Sequence, residues 1–155
     1  MNFNNFTIKS QEAVQEAVNL VQSRGQQAIE PEHLMAGLLK VGENVTNFIF
    51  QKLGINGQQI ETVLDRQIAS LPKVSGGEAY LSRSANEVLQ KALEVSKELG
   101  DEYVSLEALL LALLNVKSTV ATILKDAGLT DKELRAAIQE LRQGQKVTSQ
   151  SSEDT

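Results

Sequence analysis

The stretch Glu32-His33-Leu34-Met35-Ala36-Gly37-Leu38-Leu39-Lys40-Val41 returns 75 residues later as Glu107-Ala108-Leu109-Leu110-Leu111-Ala112-Leu113-Leu114-Asn115-Val116. In both copies the leucines follow helical spacing. Working outward, the same shift pairs Glu12 with Glu87, Gln15 with Gln90, Ala17 with Ala92 and Gly25 with Gly100. Conservative apolar pairs fill in between: Val14/Leu89, Val18/Leu93, Leu20/Val95 and Ile29/Val104. With one residue dropped, the match continues at a shift of 74 through Ile49/Ile123, Phe50/Leu124, Gly54/Gly128 and Ile55/Leu129. A unit duplicated over this length predicts a pseudo-twofold domain with a surface shared between its halves. Such surfaces bind things more often than they catalyse reactions.

The chain has 155 residues, enough for one domain that buries roughly two-thirds of its unfolded surface. Apolar residues make up 41% and charged residues 23%, which places it among globular chains. A net charge of -5 and six aromatics (four Phe, two Tyr) leave no basic stripe or stacking platform, so nucleic acid is not an expected partner. The absence of cysteine removes disulfides, thiolate nucleophiles and zinc-thiolate sites, and suits a cytoplasmic location. Residues 1–10 show no cationic start followed by an apolar core. The longest unbroken apolar run, Ala108 to Leu114, falls far short of the ~20 residues a membrane span needs, so no membrane association is expected.

Helix starts and stops recur in register. Thr7 and Ser82 are candidate caps for the first helix of each unit, with Gly25 and Gly100 as the stops. Glu30-Pro31 opens the second helix, with proline at the first helical position where no backbone donor is needed. Ser105 is its counterpart. A third helix is predicted over 44–53, ending at Gly54, and a fourth from Asn56, with Gln59 reaching back, to a stop before Pro72. Gly128 ends a helix in the second unit, and Thr130 with Glu133 forms a capping box for the last.

The expected fold is all-α: about eight helices in two pseudo-twofold-related four-helix repeats, antiparallel within each repeat because the connections are short. Repeat one covers about 6–71 and repeat two about 80–143, together a domain of 1–143. Helix 106–114, apolar on nearly all sides, is expected at the centre of its unit. Residues 72–79, with Gly76-Gly77, read as a mobile linker. From Gly144 the pattern turns to Gln, Ser, Thr and acidic residues, so 144–155 reads as a flexible tether.

Catalytic constellations are missing. No phosphate-binding G-x-x-x-x-G-K-[ST] loop occurs, since Gly76-Gly77 is followed by Glu78. His33 is the single histidine and no serine sits in a nucleophile elbow, so a packing or hydrogen-bonding role is expected for it. No H-E-x-x-H or calcium-loop spacing appears, and no metal is expected. Three readings stay double. Thr7 is a helix cap or a binding residue. Glu107, beside Asp101-Glu102 in sequence, answers the helix dipole or forms an acidic rim near the repeat seam. Leu89 and Val95 are core or groove.

Phe6-Thr7, the run Ile29-Glu30-Pro31-Glu32-His33-Leu34-Met35-Ala36-Gly37-Leu38-Leu39 and the stretch Gly100-Asp101-Glu102-Tyr103-Val104-Ser105-Leu106-Glu107 resemble the Clp amino-terminal domain family over residues 3–143. Glu30-Pro31-Glu32-His33-Leu34-Met35 is similar to the ClpB branch, whereas the degradative ClpC branch typically carries Gly-Thr-Glu-His-Ile there. Leu71-Pro72-Lys73-Val74 and the exit Arg142-Gln143-Gly144 also look like the ClpB branch.

The resemblance implies a substrate-recognising domain of a hexameric, ATP-driven disaggregase that works with a DnaK-type chaperone system. ATP and magnesium would belong to ATPase modules following residue 155, and this fragment would be a monomer without cofactor or catalysis. The resemblance further implies substrate handling by Thr7, Asp101 and Glu107 and an apolar groove at Leu89, Val95 and Ala108. Lys91 stands at a groove position that is usually apolar. The alternative is docking of one folded adaptor, as in ClpC-like domains.

Overall fold

A computed structural model describes residues 2–74 and 76–153. Its first repeat holds α1 (Ile8–Ser23), the two-residue strand β1 (Ala28–Ile29), α2 (Pro31–Val41), α3 (Glu43–Leu53) and α4 (Gly57–Ser70). The second holds β2 (Tyr80–Leu81), α5 (Arg83–Glu98), α6 (Leu106–Asn115), α7 (Thr119–Asp126) and α8 (Asp131–Arg142). The predicted eight-helix, two-repeat architecture is therefore present. The caps fall where local chemistry places them: Thr7, Asn56, Ser82, Ser105 and Thr130 each accept a backbone N–H of the first turn through a side-chain oxygen. Gly25, Gly54, Gly100 and Gly128 all adopt the left-handed conformation that ends a helix. Thr130 departs in one detail, because its hydroxyl donates to Glu133 Oε1 at 3.1 Å.

The repeats are intertwined through their strands. β1 pairs in parallel with β2, matching Ile29 to Leu81, and an isolated parallel bridge matches Phe6 to Val104. These are one contact seen twice, since Val104 is the copy of Ile29 and Leu81 that of Phe6. In each case the chain entering one repeat's first helix pairs with the segment leading into the other repeat's second helix. Accordingly Ser82 N–H donates to Ile29 O at 3.0 Å, and Thr7 N–H donates to Val104 O at 3.0 Å. This exchange brings the N-termini of α1 and α6 side by side.

Packing follows from α6, which buries every residue from Leu106 to Leu114. A helix apolar all round needs cover on several sides, and α1, α2, α5, α7 and α8 all pack on it. α7 leaves α6 at 98°. The expected antiparallel return is corrected there. Among the described residues no single helix is long and apolar enough to cross a membrane. α1 and α2 approach closely at Gly37, where a Cβ would lie 2.2 Å from Ala13 O.

Two expectations about the connections change. The linker 72–79 is fastened at both ends: Val74 N–H donates to Gly25 O at 3.0 Å, and Gln27 Nε2 donates to Glu78 O at 3.2 Å. Ser75 of that linker lies outside the described residues, as do Met1, Asp154 and Thr155. The segment read as a flexible tether is docked along the seam through Glu153, with Val147 only 5% exposed. The physical reason is that helix N-termini leave backbone donors open. Ile8 N–H donates to Gln150 O at 2.8 Å and Leu106 N–H to Glu153 Oε2 at 2.8 Å.

Candidate functional site

At the seam, three elements deliver charged or polar side chains to one point. Gly100 turns left-handed after α5 and aims Asp101 inward, the cap of α6 supplies Ser105 and Glu107, and the last turn of α8 supplies Arg142. Arg142 Nη1 and Nη2 donate to Asp101 Oδ1 and Oδ2 at 3.0 and 2.8 Å, a bidentate pair. Its Nε donates to Glu107 Oε2 at 2.7 Å and its Nη2 also reaches Ser105 Oγ at 2.9 Å. The side chains of Arg142, Asp101 and Glu107 are only 6%, 0% and 5% exposed. Burial works against the guanidinium charge, but the Asp101 hydrogen bond and the Glu107 charge hold Arg142 above its ordinary value.

The triad is not charge-balanced: two carboxylates face one guanidinium. Among the described residues Glu107 Oε1 is buried without a hydrogen-bond partner. Beside it lies Glu153, whose carboxylate accepts from Leu106 N–H and from the Thr7 hydroxyl. Burial, and then the charge of Glu107, push the Glu153 carboxyl up to about 7. Thr7 is itself fully buried and still caps α1, accepting from Ser10 N at 3.1 Å.

Of the six residues singled out from the sequence, Thr7, Asp101 and Glu107 therefore meet at one polar cluster. Leu89, Val95 and Ala108 do not line an open groove. All three are 0% exposed, inside the core. The reason is positional, since they belong to the buried sides of α5 and α6, two helices that pack against each other. Lys91 remains on the outside, 3.4 Å from Glu94. Sequence reasoning missed Arg142, Ser105 and Glu153 as members of the site. A signal for Arg142 existed: at the shift of 74 it replaces Ile68, an apolar position that had become a charge.

A cleft of about 500 Å³ borders the cluster, lined by Asn44 and Val45 of α3, by Glu107 and Arg142, and by Val147 and Glu153. A wider one of about 970 Å³ lies away from it between α2, α3 and α4 and is lined mostly by polar side chains such as Lys40, Asn47, Gln51 and Asp65. The role expected for His33 is what the structure shows. Its Nδ1 accepts from Glu30 N–H at 2.9 Å and its Nε2 lies 2.7 Å from Gln26 Oε1, so Nε2 carries the proton. Burial, then the Arg24 charge, lower its pKa to about 4.

Two intertwined four-helix repeats closed over a buried polar seam define a class of duplicated helical domain. The family model described as the Clp repeat (R) N-terminal domain matches residues 5–127, and the chain belongs to that family. It is 80% identical over 154 residues to the chaperone protein ClpB of Bacteroides thetaiotaomicron and 52% identical over 154 residues to that of Porphyromonas gingivalis. Those alignments cover 99% of this chain but 18% of each relative, so the chain spans under a fifth of their length. Among solved structures it is similar to the Hsp104 N-terminal domain from Candida albicans, with a TM-score of 0.83 at 23% identity over 95% of this chain and 97% of that one. The N-domain of ClpV from Vibrio cholerae shares the fold at a TM-score of 0.75 and 18% identity, over 92% of this chain and 87% of that one.

Proposed function

We propose that this domain recognises unfolded or aggregated polypeptide for an ATP-driven, ClpB-type disaggregase and passes it to an ATPase ring. The observation that carries the reading is the convergence of Thr7, Asp101 and Glu107 at the junction of the two repeats. The 80% identity to a chaperone protein ClpB supports the branch. Capture requires no chemistry in this domain. Such capture is weak by construction: burying ~100–200 Å² of apolar surface at ~25 cal/mol per Å² yields a few kcal/mol, partly cancelled by association entropy. Weak binding suits a domain that grips many unrelated chains and releases them. Leu89, Val95 and Ala108 act from beneath, by shaping the α5–α6 core under the seam. ATP, magnesium, hexamerisation, a DnaK-type partner system and a cytoplasmic location belong to the same proposal for the whole protein.

The test is an NMR titration of the 155-residue chain with a permanently unfolded, casein-like protein, run beside folded adaptor candidates. Fast-exchange shifts clustering at Thr7, Asp101 and Glu107 are expected. Silence with the unfolded protein alongside saturable, tight binding to one folded partner would sink the capture reading and make this a docking module.

A further inference from the structure

Gln143 and Gly144, both left-handed, turn the chain back at the end of α8. Residues 145–148 then run without repeating structure, and 149–153 form a turn. The strap is held by atoms of two kinds. Through its main chain, Val147 O accepts from Glu102 N–H at 2.8 Å, Val147 N–H donates to Asp101 Oδ1 at 3.0 Å and Gln150 O accepts from Ile8 N–H. Any polypeptide presents those groups, so these contacts carry no sequence preference. Side chains add selectivity: Gln150 Nε2 donates to Asn4 O at 2.8 Å, and two others sit deeper. Val147 is buried, and the Glu153 carboxylate sits on the Thr7 hydroxyl and on Leu106 N–H at the start of α6.

The seat at α6 is particular to repeat two. The position equivalent to Leu106 in repeat one is Pro31, which has no N–H to offer. The body side of the seam is also incomplete by itself. Without the strap, Ile8, Glu102 and Leu106 would each hold an open donor, and Glu107 Oε1 already lacks a partner among the described residues. The cleft of about 500 Å³ runs between the strap and α3.

We propose that the seam formed by Thr7–Ile8, Asp101–Glu102 and Leu106 is a binding site for non-helical polypeptide carrying an apolar side chain and, six residues later, a carboxyl side chain, and that residues 145–153 occupy this site intramolecularly until such a segment displaces them. The proposal rests on the capture reading above and names the chemistry of what is captured. Arg142 already neutralises part of the Asp101 and Glu107 charge, and the donors left over call for an acceptor. The Glu107 charge still works against a charged acceptor at this seat, so the group that fits is one able to take up a proton.

The charged groups around the Glu153 seat are Glu107 from α6, backed by Arg142 of α8 and Asp101 from the loop after α5, with Lys146 of the strap itself at the cleft. α1 contributes the neutral Thr7, and α3 the neutral Asn44 and Val45. The docked carboxyl titrates near 7, above its ordinary value, so the docked strap holds more protons than the free one. Docking is strongest below the ordinary carboxylate range and loosens as pH rises through 7.

The experiment uses the 155-residue chain and its Val147→Asp/Glu153→Ala variant, with an amidated nonapeptide of the sequence Gln-Lys-Val-Thr-Ser-Gln-Ser-Ser-Glu as probe. Hydrogen exchange should show the Ile8, Glu102 and Leu106 amides protected in the wild type and at least about tenfold less so in the variant. The peptide should bind the variant, restore that protection, and bind the wild type at least about fivefold more weakly. Peptides with Val→Asp or Glu→Ala should not bind. A folded variant with a released strap that ignores the peptide overturns the proposal, as does free exchange of those amides in the wild type. If the double variant melts well below the wild type, Glu153→Ala alone supplies the same comparison. Unfolded casein then separates the two readings. Casein that displaces the peptide supports both. A bound peptide with no casein binding anywhere keeps the site and ends the capture reading, whereas casein bound without displacing the peptide does the opposite.

Discussion

The two repeats close the same gap with different chemistry. In repeat one, Gln26 follows the helix-ending Gly25 and ties the loop to the end of α4, donating to Ile68 O at 2.7 Å and Leu71 O at 3.3 Å. His33 completes it through Gln26 Oε1, and every partner is neutral. In repeat two the equivalent of Gln26 is Asp101 and the equivalent of Ile68 is Arg142, so the same loop is tied to the end of α8 by a buried ion pair. The neutral closure uses up its own groups. The ionic one brings an extra carboxylate, Glu107, leaves one of its oxygens unpartnered among the described residues and engages Val147 and Glu153 from outside the repeat. A duplicated fold acquired a one-sided site because charge was placed in one copy of a shared joint.

The strongest way to break this comparison is Arg142→Met. It strands Asp101 and Glu107 as buried, unpaired carboxylates, and the expected loss is about 3–5 kcal/mol in urea unfolding, with most of it returning when Asp101→Asn and Glu107→Gln are added. A loss under 1 kcal/mol would mean that the joint is wet and the ion pair incidental.

The helix contact at Gly37 sharpens the comparison from the packing side, because repeat two carries Ala112 at that position. Gly37→Ala drives a methyl into the Ala13 carbonyl. Overpacking costs about 1–3 kcal/mol and the better helix propensity of alanine offsets up to about 1, so a net loss of about 1–2 is expected from thermal or urea melts.

Acid and base should act on opposite joints. His33 is depressed to about 4 and stays neutral in the folded state while the unfolded chain takes up a proton below its ordinary value of 6.5. Its stability contribution is therefore present above pH 6.5 and is lost between 6.5 and 4. Glu153 has the opposite sign, and strap docking is expected to weaken about tenfold between pH 6 and pH 8. Protection factors at Leu106, compared across pH with global stability in wild type and His33→Asn, would show both slopes. Identical slopes in the two proteins would remove His33 as the source of the acid one.

The smallest expected effect concerns the two matched caps. Thr7→Ala and Ser82→Ala should each cost about 1 kcal/mol as lost helix caps, measured by urea unfolding. Only Thr7→Ala should also raise exchange at Leu106, since Thr7 alone touches Glu153. Equal exchange behaviour in both variants would detach Thr7 from the strap.

Much of this was legible locally. Thr7, Ser82, Ser105 and Thr130 announce helix starts because a side-chain oxygen satisfies a donor three residues away, and Gly25 and Gly100 announce stops because they reach positive φ cheaply. Thr7, Asp101 and Glu107 could be named in advance, although neither spacing nor periodicity shows that they meet. Arg142 lies 41 residues from Asp101 and 35 from Glu107, and no local pattern joins them. The strap was hidden for a related reason. Its composition is that of a tether, and what holds it is main-chain groups and the Gln150 and Glu153 side chains meeting partners on distant segments.

The sequence by itself determined the duplication, the eight helices and their caps, since these follow from side-chain period and from groups within a few residues of one another. Tertiary structure alone decided that Leu89, Val95 and Ala108 are core, that Arg142 is the centre of the seam, and that residues 145–153 cover it. Burial and pairing of charges depend on which surfaces face each other across the fold, and chain order does not encode that proximity.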